Sequence, residues 1–446
     1  MDIIKTTSEL SKFCTFAGKF DYITVDTEFL RERTYYPKLC LIQLAIPSDQ
    51  KNSAVLIDPL AGNLDLSPLY ELFLNTEIVK VFHAARQDLE IFFHDRNIIP
   101  KPLFDTQLAA MVCGFGEQVG YETLVRSICK VNLDKSSRFT DWSLRPLSAN
   151  QQSYALADVT HLRNIYEYLK DQLNTNERES WVQEELNILE NPETYITRPN
   201  EAWKRIKTRS NSSKFLGIVA SLAEFREFYA QRANIPRSRV FKDDALIELA
   251  SLKPKSLDEL GRSRLLLRDA RKGRIASGIL EAIKTAGELN DEQLNNVNKG
   301  QKSINGNTAL ADMLRVLLKA KSEELGVASK LIANSSDLDS LASGDRTVPA
   351  LSGWRHKVFG REAIELCDGK VGLILEGKNI TTFIKNSDVI ISILPSTLQT
   401  YTIIDKKFLN LMKKHSCLIN IGRGNTIDET DLLNHLKKNK SFFAYL

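Results

Sequence analysis

Two carboxylates stand close together in the stretch DYITVDTEFL, which covers residues 21–30. Apolar and polar residues alternate through this stretch, and such a period of two predicts a buried strand. The alternation places Asp26 and Glu28 on the same face of that strand, a few ångströms apart. Like charges so close share a cation or a proton, and the further acids downstream favour a cation. The alternative is a strand end at which both acids are solvated.

Three further acids occur in similar contexts. Asp88, in VFHAARQDLEIF, opens a predicted helix directly after a predicted strand, where the helix dipole favours a carboxylate; a simple capping charge is the alternative. Tyr154 and Asp158, in YALADVTHL, lie one turn apart on a predicted helix and share a face; a structural hydrogen bond is the alternative. Asp105, in LFDTQLAAM, precedes a helix and is explained at least as well as an N-cap.

The elements that must position these residues follow from hydrophobic periodicity. Strands are predicted at residues 22–29, 39–46, 54–58 and 78–83, the first three as an antiparallel meander. Helices are predicted at residues 66–74, 88–93, 106–113, 121–129 and 150–173. This order predicts a mixed sheet surrounded by helices.

The length of 446 residues predicts two or more domains. A proline-punctuated connector near residue 191 is followed by a helical region up to about residue 285 and then by a polar linker. Residues 235–251 align without a gap on residues 327–343, which predicts a degenerate repeat of one small helical domain. Two amphipathic helices that match by chance are the alternative.

Composition limits the classes of function. The net charge of +4 is too small to require a polyanionic partner, but in residues 202–284 Lys and Arg outnumber Asp and Glu about twofold. The six cysteines are scattered without a CxxC pair, which indicates neither a zinc site nor a disulfide framework. The N-terminus has no apolar h-region, and no apolar run is long enough to span a bilayer. We therefore expect a cytoplasmic protein without a membrane partner.

Several stretches in residues 1–170 carry a family resemblance: VDTEF, YYPKLCLIQLA, FHAARQDLEIF, LDKSSRFTDWSLRPLS and YALADVTHL. These stretches occur in the order expected for the DEDD superfamily of 3′ to 5′ exonucleases. Within that superfamily they resemble the tyrosine-bearing branch, and most closely its bacterial ribonuclease D family. The resemblance implies an α/β ribonuclease H-like domain, a mixed sheet with flanking helices.

The resemblance also implies roles for individual residues. Asp26, Glu28 and Asp158 would ligate one divalent metal, Asp26 would bridge to a second, Asp88 would support that second metal, and Tyr154 would orient the attacking water. The cofactors would be two Mg²⁺ or Mn²⁺ ions, which hard oxygen ligands suit.

The implied reaction is hydrolytic release of nucleoside 5′-monophosphates from an RNA 3′ end, with tRNA precursors and the 3′ ends of small RNAs as substrates. Two alternatives remain: a DNA-directed exonuclease of the same superfamily, because discrimination rests on 2′-hydroxyl contacts that cannot be located in the sequence, and an inactive RNA-binding protein. No obligate protein partner is evident.

The stretch FREFYAQRANIPRSRVFKDDALIELASLKPKSLDEL resembles an HRDC domain, a small all-α module. Its cations interleave with aromatic residues, which suits RNA contact; solvated charge over an aromatic core is the alternative. A second copy, near residues 308–368, contains GWRHKVFG. The candidate RNA contacts are Arg86, Lys135, Arg145, Arg232, Arg237, Arg239 and Lys242.

The last segment resembles a different family. SDVIISILPST and INIGRGNTIDETDLL are similar to the nucleotide-binding domain of D-isomer 2-hydroxyacid dehydrogenases, in which Arg423 would bind substrate. No GxGxxG precedes them, and the acid and histidine that this family needs do not follow, so we expect a truncated Rossmann-like tail without NAD. A dehydrogenase activity is the remote alternative; a gene fusion, a shifted reading frame or a misjoined gene would each explain the tail. We expect its strands to be poorly packed, with exposed apolar edges.

The expected domains follow in order. They are an exonuclease domain (1–175), a connector (176–200), a first HRDC domain (201–286), a linker (287–306), a second HRDC-like domain (307–378) and a dehydrogenase-like fragment (379–446).

Overall fold

The computed structural model describes residues 3–48, 53–134, 140–208, 210, 212–290, 294, 308–371 and 380–446. Lys135 and most of the predicted linker at residues 287–306 lie outside the described residues. The chain divides into two compact units: Met1–Ser303 with Gly326–Ala328, and Ile304–Leu325 with Ser329–Leu446.

The first unit begins with a mixed sheet. Its strands are β1 (Ile3–Ile4), β2 (Tyr22–Leu30), β3 (Lys38–Ala45), β4 (Ala54–Ile57), β5 (Val79–Phe82) and β6 (Leu103–Asp105), in the order β1-β4-β3-β2-β5-β6. β2, β3 and β4 pair antiparallel, whereas β5 runs parallel to both β2 and β6. The predicted meander and mixed sheet are thus confirmed. The sequence did not predict β1 and β6, because strands of two and three residues are too short to show a hydrophobic period.

Seven helices of the described residues surround this sheet: α1 (Thr7–Ala17), α2 (Ser67–Leu74), α3 (Arg86–Arg96), α4 (Thr106–Val112), α5 (Tyr121–Leu124), α6 (Ala149–Thr175) and α7 (Glu179–Leu189). A π-helical turn, Val125–Cys129, continues α5. The long helix α6 packs across β2, β3 and β4. Its apolar face, with Ala155, Val159 and Leu162, is buried there, because apolar residues recur once a turn.

A helical domain completes the first unit. After a 3₁₀ segment, Pro199–Arg205, it contains α8 (Ser213–Ala233), α9 (Arg237–Val240), α10 (Asp243–Leu252), α11 (Leu257–Gly261) and α12 (Gly273–Gly287). Phe241 is fully buried in its core, and the buried Arg226 donates to Asp243 at 2.7 Å. The aromatic-core interpretation is therefore correct for Phe241, whereas Arg226 is a buried, paired charge and not a solvated one.

The second unit starts with helices Thr308–Leu325, Ser329–Ile332, Ser335–Ala342, Gly353–Arg355 and Arg361–Cys367. In the gap-free alignment from the sequence, the first residues of α9 and α10 coincide with Ser329 and Ser335, where two of these helices begin. The helix starts therefore support the predicted repeat.

The tail forms a three-stranded parallel sheet of β7 (Val389–Ser392), β8 (Cys417–Asn420) and β9 (Phe443–Tyr445), with helices Ile380–Asn386, Lys406–Leu411 and Glu429–Lys438. Poor packing was expected, and for one face this is wrong: Ile390, Leu409, Leu418 and Leu432 form a buried core, because helices cover that face.

The opposite face of the tail sheet is open. It exposes Val389, Ile391, Ile421, Phe443 and Tyr445 to solvent. The sequence predicted exposed apolar edges of the sheet; the exposed apolar surface observed here is on a face. Among the described residues of both units, no helix has the length and apolar character needed to cross a bilayer. All six cysteines are free thiols.

Candidate active site

Strand β2 supplies two acids. Because β2 lies between antiparallel β3 and parallel β5, both of its edges are paired, and its side chains point alternately to the two faces of the sheet up to Glu28. Asp26 lies opposite Gln43 and Glu28 lies opposite Leu41. The register shifts directly after Glu28, at an irregularity of the kind that often re-aims side chains beside active sites.

Asp88 comes from the first turn of α3 and is buried. The turn before α3 places Ala84 in the left-handed region, with φ of 58°. Asp105 holds this turn by accepting the main-chain N–H groups of Ala84 at 3.0 Å and Ala85 at 2.8 Å, and the same carboxylate caps α4. The Thr27 hydroxyl donates to Asp88. The N-cap interpretation of Asp105 is confirmed, and the residue also shapes the catalytic turn.

Helix α6 supplies the last two candidates. A capping box between Ser148 and Gln151 fixes its start, about one and a half turns before Tyr154. The Thr24 hydroxyl on β2 donates at 2.8 Å to the main-chain carbonyl of Val159, which sets the height of α6 over the strand. Tyr154 and Asp158 consequently face the acids of β2.

The catalytic candidates converge on one cavity. Carboxylate oxygens of Asp26, Glu28 and Asp158 lie within 4.8 Å of one another. Asp88 and Tyr154 line the same cavity, which has a volume of about 450 Å³. Every catalytic residue predicted from the sequence is thus in one place.

The cavity is strongly unfavourable for bare negative charge. Burial, and then the charge of Asp158, hold the pKa of Asp26 well above its usual range. Burial raises the pKa of Glu28 to about 9, with the three neighbouring carboxylates adding to it. Burial and the charge of Asp26 raise the pKa of Asp88 by more than the Thr27 hydrogen bond lowers it, and burial raises the pKa of Asp158 to about 7. A cation is needed to keep all four acids ionised at neutral pH.

The donor set fits such a cation. Carboxylate oxygens are hard ligands, and a compact set of them from Asp26, Glu28 and Asp158 is typical of Mg²⁺ or Mn²⁺ rather than zinc. The site therefore fits a divalent metal.

The prediction that Arg145 contacts phosphate is wrong. Its guanidinium donates to both carboxylate oxygens of Asp58 and to the carbonyls of Cys40, Trp142 and Leu144, at distances between 2.7 and 2.9 Å. All five N–H donors of an arginine are used in this way, so none is left for RNA. Arg145 fastens the loop before α6 to the sheet.

A larger cleft lies between the sheet domain and the first helical domain, with a volume of about 980 Å³. Gln87 lines both this cleft and the catalytic cavity. The cations that line the larger cleft are Arg31, Arg86, Arg205 and Arg237. The aromatic rings that line it include those of Tyr35, Tyr36, Phe93, His94 and Tyr195. Two of the cations are paired within the protein, Arg31 with Glu90 at 2.8 Å and Arg237 with Glu227.

The remaining candidate RNA contacts are spread more widely. Arg86 is exposed at the start of α3, and its guanidinium donates to the carbonyl of Thr194 at 3.3 Å. Arg232, Arg239 and Lys242 are exposed on the helical domain and stay predictions. Neither cavity has any of these three in its lining.

The structure adds residues that sequence reasoning missed. Tyr121 and Gln87 line the catalytic cavity, and the Tyr121 hydroxyl donates at 2.8 Å to the carbonyl of Ala157 on α6. Thr27 lies between the two acids of β2, and that position was its only sequence signal. His83 also lines the cavity, and its ring contacts the Thr106 hydroxyl at 3.0 Å.

Family models match both parts of the first unit. The model described as 3′-5′ exonuclease matches residues 1–174, which hold every acid of the cavity, and the HRDC domain model matches residues 215–283. The class of protein defined by the fold and the cavity is thus a 3′–5′ exonuclease followed by an HRDC domain.

Whole-length relatives narrow this class. Ribonuclease D of Jannaschia sp. (strain CCS1) is 59% identical over 377 residues, which cover 84% of this chain and 98% of the relative. Ribonuclease D of Granulibacter bethesdensis is 46% identical over 380 residues, covering 85% and 95%. The crystal structure of Escherichia coli RNase D, described as an exoribonuclease involved in structured RNA processing, superposes with a TM-score of 0.72 at 28% identity, covering 82% and 98%.

The chain belongs to the ribonuclease D family. It is accordingly a hydrolytic 3′–5′ exoribonuclease, as the resemblance implied. The tail matches a different family. The family model for the NAD binding domain of D-isomer specific 2-hydroxyacid dehydrogenases matches residues 344–446. This match begins before residue 379, where the sequence analysis placed the start of the tail. Arg423 is exposed there, after β8.

Proposed function

We propose that the enzyme removes nucleoside 5′-monophosphates one at a time from the 3′ end of RNA, in the 3′ processing of tRNA precursors and other small RNAs. One observation carries the proposal: oxygens of Asp26, Glu28 and Asp158 lie within 4.8 Å of one another, with Asp88 and Tyr154 on the same cavity. This arrangement of oxygen ligands and a tyrosine on one cavity supports its proposed role as the binding site for the end of a single strand.

Each residue has a proposed role. Asp26, Glu28 and Asp158 would hold one divalent ion, and Asp26 and Asp88 would hold a second; both would be Mg²⁺ or Mn²⁺. When bound, the ions supply an activated water and stabilise the leaving 3′ oxygen of an in-line displacement. Tyr154 orients the water from the turn before Asp158.

The larger cleft is the proposed path of the RNA behind its 3′ end. Arginines together with mostly half-buried aromatic rings suit a single strand, since cations meet the phosphates and accessible ring faces can stack on bases. Arg86 and Arg205 are the cations of the cleft that we assign to phosphate contacts. Arg232, Arg239 and Lys242 extend this basic surface over the HRDC domain.

The compartment and the tail complete the proposal. We place the enzyme in the cytoplasm, and its free, scattered cysteines support a reducing environment. We assign no NAD to the tail, because no GxGxxG precedes its strands in the sequence.

The test is release of mononucleotides from a 3′-extended tRNA. Release that requires Mg²⁺ or Mn²⁺, stops with EDTA and is much slower from single-stranded DNA is the expected result. Asp158→Asn should lower kcat by about 10³-fold or more, because a ligand of the reacting centre is lost. Asp171→Asn, at an exposed position of the same helix, is the matched control and should leave kcat unchanged. A folded Asp158→Asn enzyme with normal turnover would overturn the assignment.

A further inference from the structure

The loop that precedes α6, residues 140–148, is joined to the sheet by hydrogen bonds of Arg145. Arg145 reaches back to Asp58, the residue that follows β4, with two hydrogen bonds of 2.7 Å. Asp58 is 4% exposed, and its carboxylate also accepts the main-chain N–H of Leu60. A bidentate, largely buried pair of this kind has a fixed geometry, which Lys in place of Arg cannot reproduce.

The fastened loop carries Trp142 into the core. Trp142 is 3% exposed and packs in a cluster with Leu56 and Ala155. Its main-chain carbonyl accepts from Arg145 at 2.8 Å, so the same guanidinium that binds Asp58 also fixes the backbone of the tryptophan.

Trp142 in turn contacts the catalytic tyrosine. The ring centres of Trp142 and Tyr154 lie 6.1 Å apart, with 36° between the ring planes. Tyr154 therefore has the indole on one side and the catalytic cavity on the other. A tyrosine ring has two side-chain torsions, and a rigid neighbour limits both.

We infer that Trp142, held by Arg145 and Asp58, is a positioning residue that fixes the Tyr154 phenol over the reacting phosphate. This inference rests on the proposed role of Tyr154 in orienting the attacking water. Neither Trp142 nor Arg145 lines the cavity, so both act through the tyrosine and not on the RNA.

The test is a double-mutant cycle on kcat. Trp142→Leu removes the indole and should lower kcat about 10- to 100-fold with KM little changed, because misplacing a catalytic group by about 1 Å costs this much. In a Tyr154→Phe enzyme, which has no phenol to position, the same Trp142→Leu change should lower kcat by less than about threefold. Trp142→Phe, which keeps a ring, should restore most of the lost rate.

Controls separate this inference from general damage. Trp181→Leu, on α7, should leave kcat unchanged in both backgrounds, and thermal melting identifies variants that do not fold. If Trp142→Leu does not fold, Arg145→Lys takes its place in the cycle.

Two outcomes overturn different claims. An equal loss of kcat in the wild-type and Tyr154→Phe backgrounds would overturn the positioning role while the nuclease assignment stands. Normal kcat in Tyr154→Phe alone would instead overturn the proposed role of the tyrosine.

Discussion

Of the carboxyl groups that line the small cavity, those of Asp26, Glu28, Asp88 and Asp158 have a raised pKa, and without a metal their repulsion is relieved by protons. The pKa of Glu28 rises to about 9 and that of Asp158 to about 7, in both cases mainly through burial. In an unfolded chain such groups titrate near pH 4. The folded chain therefore binds more protons between about pH 4 and pH 9, and it loses this source of stability as the pH rises through that window.

We expect the enzyme in EDTA to lose thermal stability steadily from about pH 5 to about pH 9. Saturating Mg²⁺ should remove much of this slope, because the cation replaces the protons as counter-charge. Glu28→Gln, which stays neutral, should flatten the slope in EDTA, whereas Glu179→Gln, at an exposed site on α7, should not. Melting curves at successive pH values measure this, and equal slopes for wild type and Glu28→Gln would contradict it.

Some site residues could be predicted from the sequence, and others could not. Alternation placed Asp26 and Glu28 on one face and helical spacing placed Asp158 beside Tyr154, but only the family resemblance assigned these acids to one site. The role of Arg145 could not be predicted, since its partner Asp58 lies 87 positions away and the sequence shows only a cation in a basic stretch. Whether a charge is free or paired depends on contacts that no local pattern records.

At the scale of elements, the catalytic geometry depends on how α3 begins. Asp105 accepts from the N–H groups of Ala84 and Ala85 before α3, and from those of Gln107 and Leu108 at the start of α4. One carboxylate thus joins two helix starts and sets the position from which Asp88 projects. A helix cap usually contributes only to the stability of the protein, but this cap also shapes the candidate metal site.

Asp105→Ala should destabilise the protein by about 1–3 kcal/mol, because it removes a cap and leaves buried N–H groups without an acceptor. It should also weaken Mg²⁺ binding, measured by calorimetry, since the turn that carries Asp88 is released. Ser256→Ala removes the N-cap of α11 in the HRDC domain and is the matched control. It should cost stability only; equal effects of both variants on Mg²⁺ binding would refute the link.

Elements were predictable where their periodic pattern was long. β2 and α6, the two that carry most of the site, were found within two residues of their observed ends. The start of α3 was placed too late, because the turn before it is held by Asp105 on β6, a contact between distant segments. β9 was missed because its three residues are too few to show alternation.

At the scale of the whole molecule, the tail is foreign to the nuclease by sequence yet has a core of its own. Its buried cluster combines strand and helix residues, whereas the other sheet face leaves Ile391 and Phe443 more than half exposed. Apolar surface of this kind favours association. We therefore expect this open face to lower the solubility of the full chain.

Removing the residues after 378 should leave kcat and KM for RNA unchanged, because every acid of the cavity lies within residues 1–174. The shortened protein should also stay monodisperse to higher concentration, since the open face of the tail sheet is gone. Steady-state kinetics and size-exclusion chromatography measure the two effects. Ile391→Lys in the full chain is the matched variant for solubility, and a large loss of kcat on deletion would show that the tail contributes to catalysis.

Gln87 lines both the catalytic cavity and the larger cleft, and this has a consequence for successive cuts along one RNA strand. After each cut, the freed nucleotide must leave the small cavity while the shortened strand advances by one unit. On the proposed RNA path, a strand bound in the larger cleft would stay attached during that exchange. The number of nucleotides removed in one encounter would then depend on binding in the cleft, and the rate of each cut on the acids. Processivity and turnover would in this way be separately adjustable by mutation.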